Sequence, residues 1–172
     1  MPSTQDIVIR PVPFDHPDSV QLRTTQQAEL TAQWGPDYCD PPSAADVAVF
    51  LIAYHDGKPV GCGGLRPLSS ASENARKSSA EIKRMFVAPA YRGRLGGDDG
   101  ARTSVAQLIL EQLEGESRKR GLPWLLLETG IDMTTARRFY ERCGFAQRGM
   151  FGKYSVAEAS VCYEKWLGGS VS

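Results

Sequence analysis

Apolar and polar positions alternate along residues 7–12, IVIRPV, which predicts a first strand. From about Asp18 to Trp34, the apolar residues Val20, Leu22, Ala28 and Leu30 sit in a polar background, as in a helix with one buried face. GPDYCDPP stops that helix, since Gly35 and the adjacent Pro41 and Pro42 cannot continue it. Ala44–Val47 has room for one short helical turn. AVFLIAY at 48–54 is a strongly apolar strand, HDGKP carries the hairpin dipeptide Asp56-Gly57, and VGCGGLR at 60–66 returns as the partner. SSASENARKSS is polar and rich in small residues, which predicts a mobile loop. AEIKRMFV at 80–87 predicts a strand, and APAYRGRLGGDDGART breaks regular structure. Val105, Leu108, Ile109 and Leu113 then follow helical spacing within Ser104–Arg120, and Gly121 with Pro123 ends the helix. WLLLET is a buried strand, and TTARRFYERC at 134–143 is a helix terminated by Gly144. Phe145–Arg148 and Val161–Trp166 are the last strands. The order predicts a single domain over residues 1–172, with an α/β layer around a mixed, largely antiparallel sheet. It is not the strict βαβ alternation of a dinucleotide fold.

The chain has 172 residues, 41% hydrophobic and 23% charged, as expected of a soluble globular protein. No apolar run approaches the roughly 20 residues of a membrane helix. MPSTQDIVIRPVPFD lacks the basic start and apolar centre of a signal peptide, so a cytoplasmic location is expected. Twenty Lys and Arg balance twenty Asp and Glu, which argues against a nucleic-acid partner. Residues 1–60 nevertheless hold 8 acids and 3 bases, and the remainder 12 acids and 17 bases. Either the charges are scattered over a solvated surface, or the front part favours cations and the rear part anions. Cys39, Cys62, Cys143 and Cys162, with only His16 and His55 beside them, have no zinc spacing, so no metal site is expected. Scattered cysteines of this kind are usually small buried hydrophobes.

The informative segment is AEIKRMFVAPAYRGR with the helix after it. A strand opening into an Arg/Gly-rich loop and then a helix is physically an anion site. The first-turn N–H groups lack helical partners, and the helix dipole favours negative charge. Gly93 lets the backbone approach closely, and Arg92 and Arg94 add charge-assisted donors. The Lys-Ser/Thr pair of a Walker loop is absent. A basic loop with a glycine turn is the plain alternative.

EIKRMFVAPAYRGR, SVAQLILEQLE and ARRFYERCGF, with the hairpin FLIAYHDGKPVGCGGL in front, together resemble the GNAT superfamily of acyl-CoA N-acyltransferases over about residues 7–167. The resemblance implies a sheet of six to seven strands flanked by about four helices, with acetyl-CoA as acyl donor. It implies direct attack on the thioester by an amine, carried by a small molecule or a peptide. No nucleic acid or membrane is implied, and a homodimer is compatible with it. Two departures stand out. The family's phosphate loop runs straight into its helix. Here Leu95–Thr103 intervenes as an insertion, which puts Ser104 in the family's Gly position, Val105 after it, and Ala106 in its Gly/Ala position. Asp98 and Asp99 are expected to face water, and Arg102 could turn inward. Met133 stands where the family often has Asn, with Thr134 or Thr135 as possible substitutes.

By the same resemblance, Met85, Phe86 and Val87 grip the pantetheine arm through their backbone, and one N–H of this run stabilises the oxyanion. Glu81 is the candidate base. By period-2 alternation it shares a face with Lys83, Met85 and Val87, and a proton could reach it through one water. The alternative is a surface carboxylate paired with Lys83 or Arg84, and Glu128 is the reserve. Tyr140 matches the family's tyrosine as acid for the leaving thiolate, and is favoured in that role over an aromatic packed on the helix's inner face. Phe139 and Phe145 are better placed as plain core. Glu29, Asp37 and Asp40 would favour a cationic acceptor. A non-catalytic CoA-binding regulatory module is the competing function, motivated by the altered loop and by Met133. Retention of Glu81 and Tyr140 argues against it.

Overall fold

The computed structural model describes residues 3–36, 42–72, 74–93, 95–96 and 103–168, with Val156 described by its backbone alone. Seven strands form one sheet, in the order β1-β2-β3-β4-β5-β7-β6. They are β1 (Ile7–Pro11), β2 (Val49–His55), β3 (Lys58–Pro67), β4 (Ser79–Val87), β5 (Trp124–Gly130), β6 (Ala146–Arg148) and β7 (Ser160–Trp166). The helices are α1 (Pro17–Trp34), α2 (Val105–Lys119) and α3 (Thr134–Arg142). Among the described residues there are three α-helices, not about four. Residues 44–46 make only a turn, closed by Ser43 and Asp46, and are too short to propagate as a helix. No described helix is long and apolar enough to cross a membrane.

The chain packs as two compact units, both discontinuous in sequence. The first comprises residues 1–65 and 83–113. In it, β1 pairs antiparallel with β2, and β2 with β3, through a hairpin turn in which Asp56 and Gly57 both take positive φ, as a type I′ turn requires. Pro17 opens α1, where its missing N–H costs nothing, and Gly35 at φ 84° ends the helix. Leu22 of α1 packs with Phe50, Ile52, Tyr54, Cys62 and Phe86 on one face of the sheet. The other face of β3 carries glycines because α2 lies against the backbone. A Cβ on Gly61 would stand 3.1 Å from Val105, Ile109 and the Phe86 carbonyl, and one on Gly63 3.0 Å from Ile109.

The second unit comprises residues 66–82 and 114–172. β5 pairs antiparallel with β7 along its whole length, β6 adds to β7, and Ser79–Glu81 of β4 pair parallel with Trp124–Leu126. Leu125, Leu126, Leu127, Tyr140, Phe145, Phe151, Tyr154 and Tyr163 are buried. The polar loop after β3 is pinned rather than free. Arg76 donates twice to Glu164, at 3.0 and 2.7 Å, and its guanidinium lies 4.4 Å over the Trp124 ring.

Candidate active site

Alternation fails inside β4. Arg84 takes φ 55°, a left-handed conformation that costs a non-glycine residue energy and resets the pleat. Glu81 therefore does not share a face with Met85 and Val87 by simple period-2 counting. Beyond this bulge the Phe86 carbonyl lies against Gly61, and the Ala88 N–H donates to the Val60 carbonyl at 2.8 Å. The peptide groups of Met85 and Val87 thus point to the opposite edge of β4, away from β3. On that edge the Met85 carbonyl accepts from Gln26 Nε2 at 3.0 Å, and the Val87 carbonyl from Arg92 Nε at 2.8 Å. The Met85 and Val87 N–H groups lie along the same edge. Of the three residues expected to grip a cofactor arm, two turn their backbone that way. Phe86 turns toward β3 and buries its ring in the core.

The loop after β4 continues through Pro89–Tyr91 to Arg92 and Gly93. Gly93 has φ 100°, with no atom within 4 Å of a notional Cβ. Leu95 N–H donates to the Thr103 carbonyl, so the ends of the insertion meet and the chain leaves and returns at one place. Ser104 caps α2 by accepting from the Gln107 N–H at 3.1 Å. The first turn of α2 holds no acidic side chain, so the amides of Val105 and Ala106 face no competing negative charge within the helix. These features fit a bound pyrophosphate. The side chain of Arg92 is otherwise engaged, in a two-pronged pair with Glu29 at 2.7 and 2.8 Å. Glu29 consequently carries a compensated charge and does not present a lone carboxylate to a cationic acceptor. Arg94, Asp37, Asp40, Asp98, Asp99 and Arg102 lie outside the described residues.

In the second unit Glu81 is 1% exposed, so it is not a surface carboxylate. Arg66 Nη2 donates to its Oε2 at 2.7 Å, and the Tyr154 hydroxyl donates to its Oε1. Arg66 is thus an ion-pair partner of Glu81. Burial, reinforced by the Glu81 charge and hydrogen bond, pushes the Tyr154 phenol far above its usual range. Tyr140 is buried between the rings of Phe139 and Phe145, with centroids 5.1 and 5.6 Å away. Burial first, then Cys143 and Glu128, raises its phenol well beyond the ordinary value, so it remains a proton donor at neutral pH. Phe145 is core, as expected, whereas Phe139 is half-buried. Glu128 accepts from the Ser160 hydroxyl at 2.7 Å. Met133 is the N-cap of α3, makes no side-chain cap bond and packs its thioether against Gly130. No group of three or more His, Cys, Asp or Glu among the described residues could hold a metal ion. Arg66, Tyr154 and Gln26 were not visible as site residues in the sequence, because each meets its partner only through tertiary packing.

Comparison with known proteins identifies the family. Residues 19–145 match the model of the acetyltransferase (GNAT) family. An IAA acetyltransferase from Azospirillum brasilense is 40% identical over 118 residues, covering 69% of this chain and 67% of that protein. A Klebsiella pneumoniae crystal structure assigned as an acyl-CoA N-acyltransferase superposes with a TM-score of 0.73 at 26% identity, covering 94% of this chain and 98% of the other. At 16% identity and a TM-score of 0.65, the PaiA N-acetyltransferase of Thermoplasma acidophilum, solved with coenzyme A, covers 93% of this chain and 98% of its own and shares the fold. With a family match over most of its length and a β4 edge and α2 start suited to a phosphate-bearing thioester, the chain belongs to the GNAT family and is an acetyl-CoA-dependent N-acetyltransferase.

Proposed function

We propose that the acceptor is a primary amine, of a small molecule or a peptide, and that Glu81, Tyr154, Tyr140 and the β4 edge divide the work. The observation that carries this reading is the edge itself. There the Met85 and Val87 carbonyls accept from Gln26 and Arg92, and this reading aims the Met85 and Val87 N–H groups at an acyl carbonyl oxygen. Acetyl-CoA supplies the activated thioester. Met85 or Val87 N–H donates to the oxygen as negative charge develops there. Glu81 Oε1 already accepts from the Tyr154 hydroxyl, and its Oε2 from Arg66. The Tyr154 hydroxyl therefore takes the ammonium proton, by way of water, as it hands its own proton to Glu81 Oε1. The amine nitrogen then bonds to the acyl carbon and the carbon–sulfur bond breaks. Tyr140 gives its proton to the departing sulfur; the acylated nitrogen sheds its second proton through water, which returns a proton to Tyr140, and Glu81 releases the first proton to solvent by way of Tyr154. Arg92, Gly93, Arg94 and the Ser104–Ala106 start of α2 hold the diphosphate in this reading.

The test is thiol release from acetyl-CoA across a panel of putrescine, tyramine, L-lysine and glycylglycine. Tyr140→Phe should keep the fold and CoA affinity and lower kcat by about 10²-fold or more. Glu81→Gln should lower the rate most at neutral pH and recover toward wild type at high pH, where the amine is already deprotonated. A Glu81→Gln profile matching wild type at every pH would remove Glu81 from proton transfer. A wild-type rate for Tyr140→Phe would leave that ring a packing residue only.

A further inference from the structure

Gln26 lies in the middle of α1 and is 9% exposed. Its carboxamide orientation is fixed, because only Nε2 can donate to the Met85 carbonyl, 3.0 Å away. Its Oε1 is then left buried without a hydrogen-bond partner. Buried acceptors in folded proteins are nearly always satisfied, so an orphan of this kind points to a missing donor. The amide's own dimensions keep Oε1 within about 5 Å of the Met85 oxygen, and hence beside the β4 edge away from β3. The neighbouring side chain also reaches β4, in the opposite sense. Gln27, next along α1, accepts from Arg84 Nη1 at 2.9 Å, so α1 grips both residues of the bulge through side chains. Of the two carboxamides, only Gln26 retains a buried unpaired oxygen among the described residues.

We propose that Gln26 is a substrate-binding residue whose Oε1 accepts a hydrogen bond from an N–H of the bound substrates. A carboxamide oxygen only accepts, so the ligand group must be a donor. Two sources of N–H come with the reaction: an amide of the CoA arm and the amine of the acceptor. The inference rests on the acetyl-CoA and amine reading above. It adds that α1, through one side chain, both occupies the Met85 carbonyl and offers its own oxygen at that place.

The experiment compares wild type with Gln26→Met, which keeps an unbranched side chain of similar length and has no carboxamide. Calorimetry gives the CoA Kd, and the thiol-release assay gives the acceptor KM and kcat for the best amine of the panel. If the donor is a CoA amide, CoA affinity should fall about two- to tenfold, the range of a neutral hydrogen bond. If it is the acceptor ammonium, the acceptor KM should rise about tenfold or more with the CoA Kd unchanged, since bonds to charged groups are stronger. Unchanged values for both would overturn the proposal. A wild-type protein that neither binds CoA nor releases thiol would instead overturn the reading beneath it. Should Gln26→Met fail to fold, NMR on the wild-type protein decides. The Gln26 Nε2–H₂ resonances should move on saturation with CoA, or with the amine added to the CoA complex. Resonances that stay fixed through both additions would overturn the proposal.

Discussion

Arg66→Met tests whether the Glu81 cluster is an ion pair on which the fold depends. Glu81 is 1% exposed and the Arg66 side chain 19%, with 2.7 Å between Nη2 and Oε2. Removing the cation strands a carboxylate in a nearly dry site, which typically costs about 3–5 kcal/mol. The cost should fall at the lower end, about 3 kcal/mol, because Tyr154 still donates to Oε1 and Arg66 is partly solvated. For a domain of this size, 1 kcal/mol moves Tm by roughly 2–4 °C, so a drop of about 6–12 °C is expected. Glu81→Gln should cost less, since the partner it leaves behind reaches solvent. In the double variant Arg66→Met/Glu81→Gln no charge is stranded, so it should be more stable than Arg66→Met alone. The coupling from a four-protein cycle, by urea and thermal unfolding, should then lie in the range of about 0.5–3 kcal/mol found for contacting residues. A loss below about 1 kcal/mol for Arg66→Met, or strictly additive single effects, would refute the reasoning.

Gly63→Ala would place a methyl 2.5 Å from Met85 Sδ, 3.0 Å from Ile109 and 3.1 Å from Leu113. It should destabilise by about 1–3 kcal/mol and weaken CoA binding by displacing α2; an unchanged Tm with unchanged CoA affinity would contradict this. Glu29→Gln should release the Arg92 guanidinium and tighten CoA binding at low salt, with the gain fading as salt rises. Calorimetry showing no gain would mean that Arg92 does not face the phosphates. Burial and the Asp18 hydrogen bond push Tyr54 up to about 12, and Tyr140 and Tyr154 are raised further, whereas tyrosines of the unfolded chain titrate near 10. Stability from these groups is therefore complete below pH ~10 and lost as pH rises through about 12. Ultraviolet titration should show their ionisation coinciding with alkaline unfolding. Ionisation of all six tyrosines near pH 10 in the folded protein would count against it.

The strands and helices were legible in the sequence because their signals are local. The Asp56-Gly57 turn, the apolar run before it and the i, i+4 spacing of Val105, Ile109 and Leu113 each reflect neighbours along one chain segment. The Arg92–Gly93 loop and the Ser104 helix start were legible for the same reason. Only the structure shows that Leu95 and Thr103 are bonded together. What the sequence misplaced depends on a single residue of register. Alternation assigned Glu81, Met85 and Val87 to one face, and the left-handed Arg84 between them cancels that count. Nothing in the local pattern announces a positive φ at an arginine.

The identity of Glu81's surroundings was also out of reach. Arg66 and Tyr154 lie 15 and 73 residues away along the chain, and a polar contact over such separations leaves no periodic trace. The same holds for Glu29 with Arg92, and for Gln26 with the Met85 carbonyl. Sequence determined which residues could carry the chemistry, since residue type fixes charge and proton affinity. Tertiary structure decided which of them are dry and what each touches, because burial and hydrogen bonding arise only when distant segments pack.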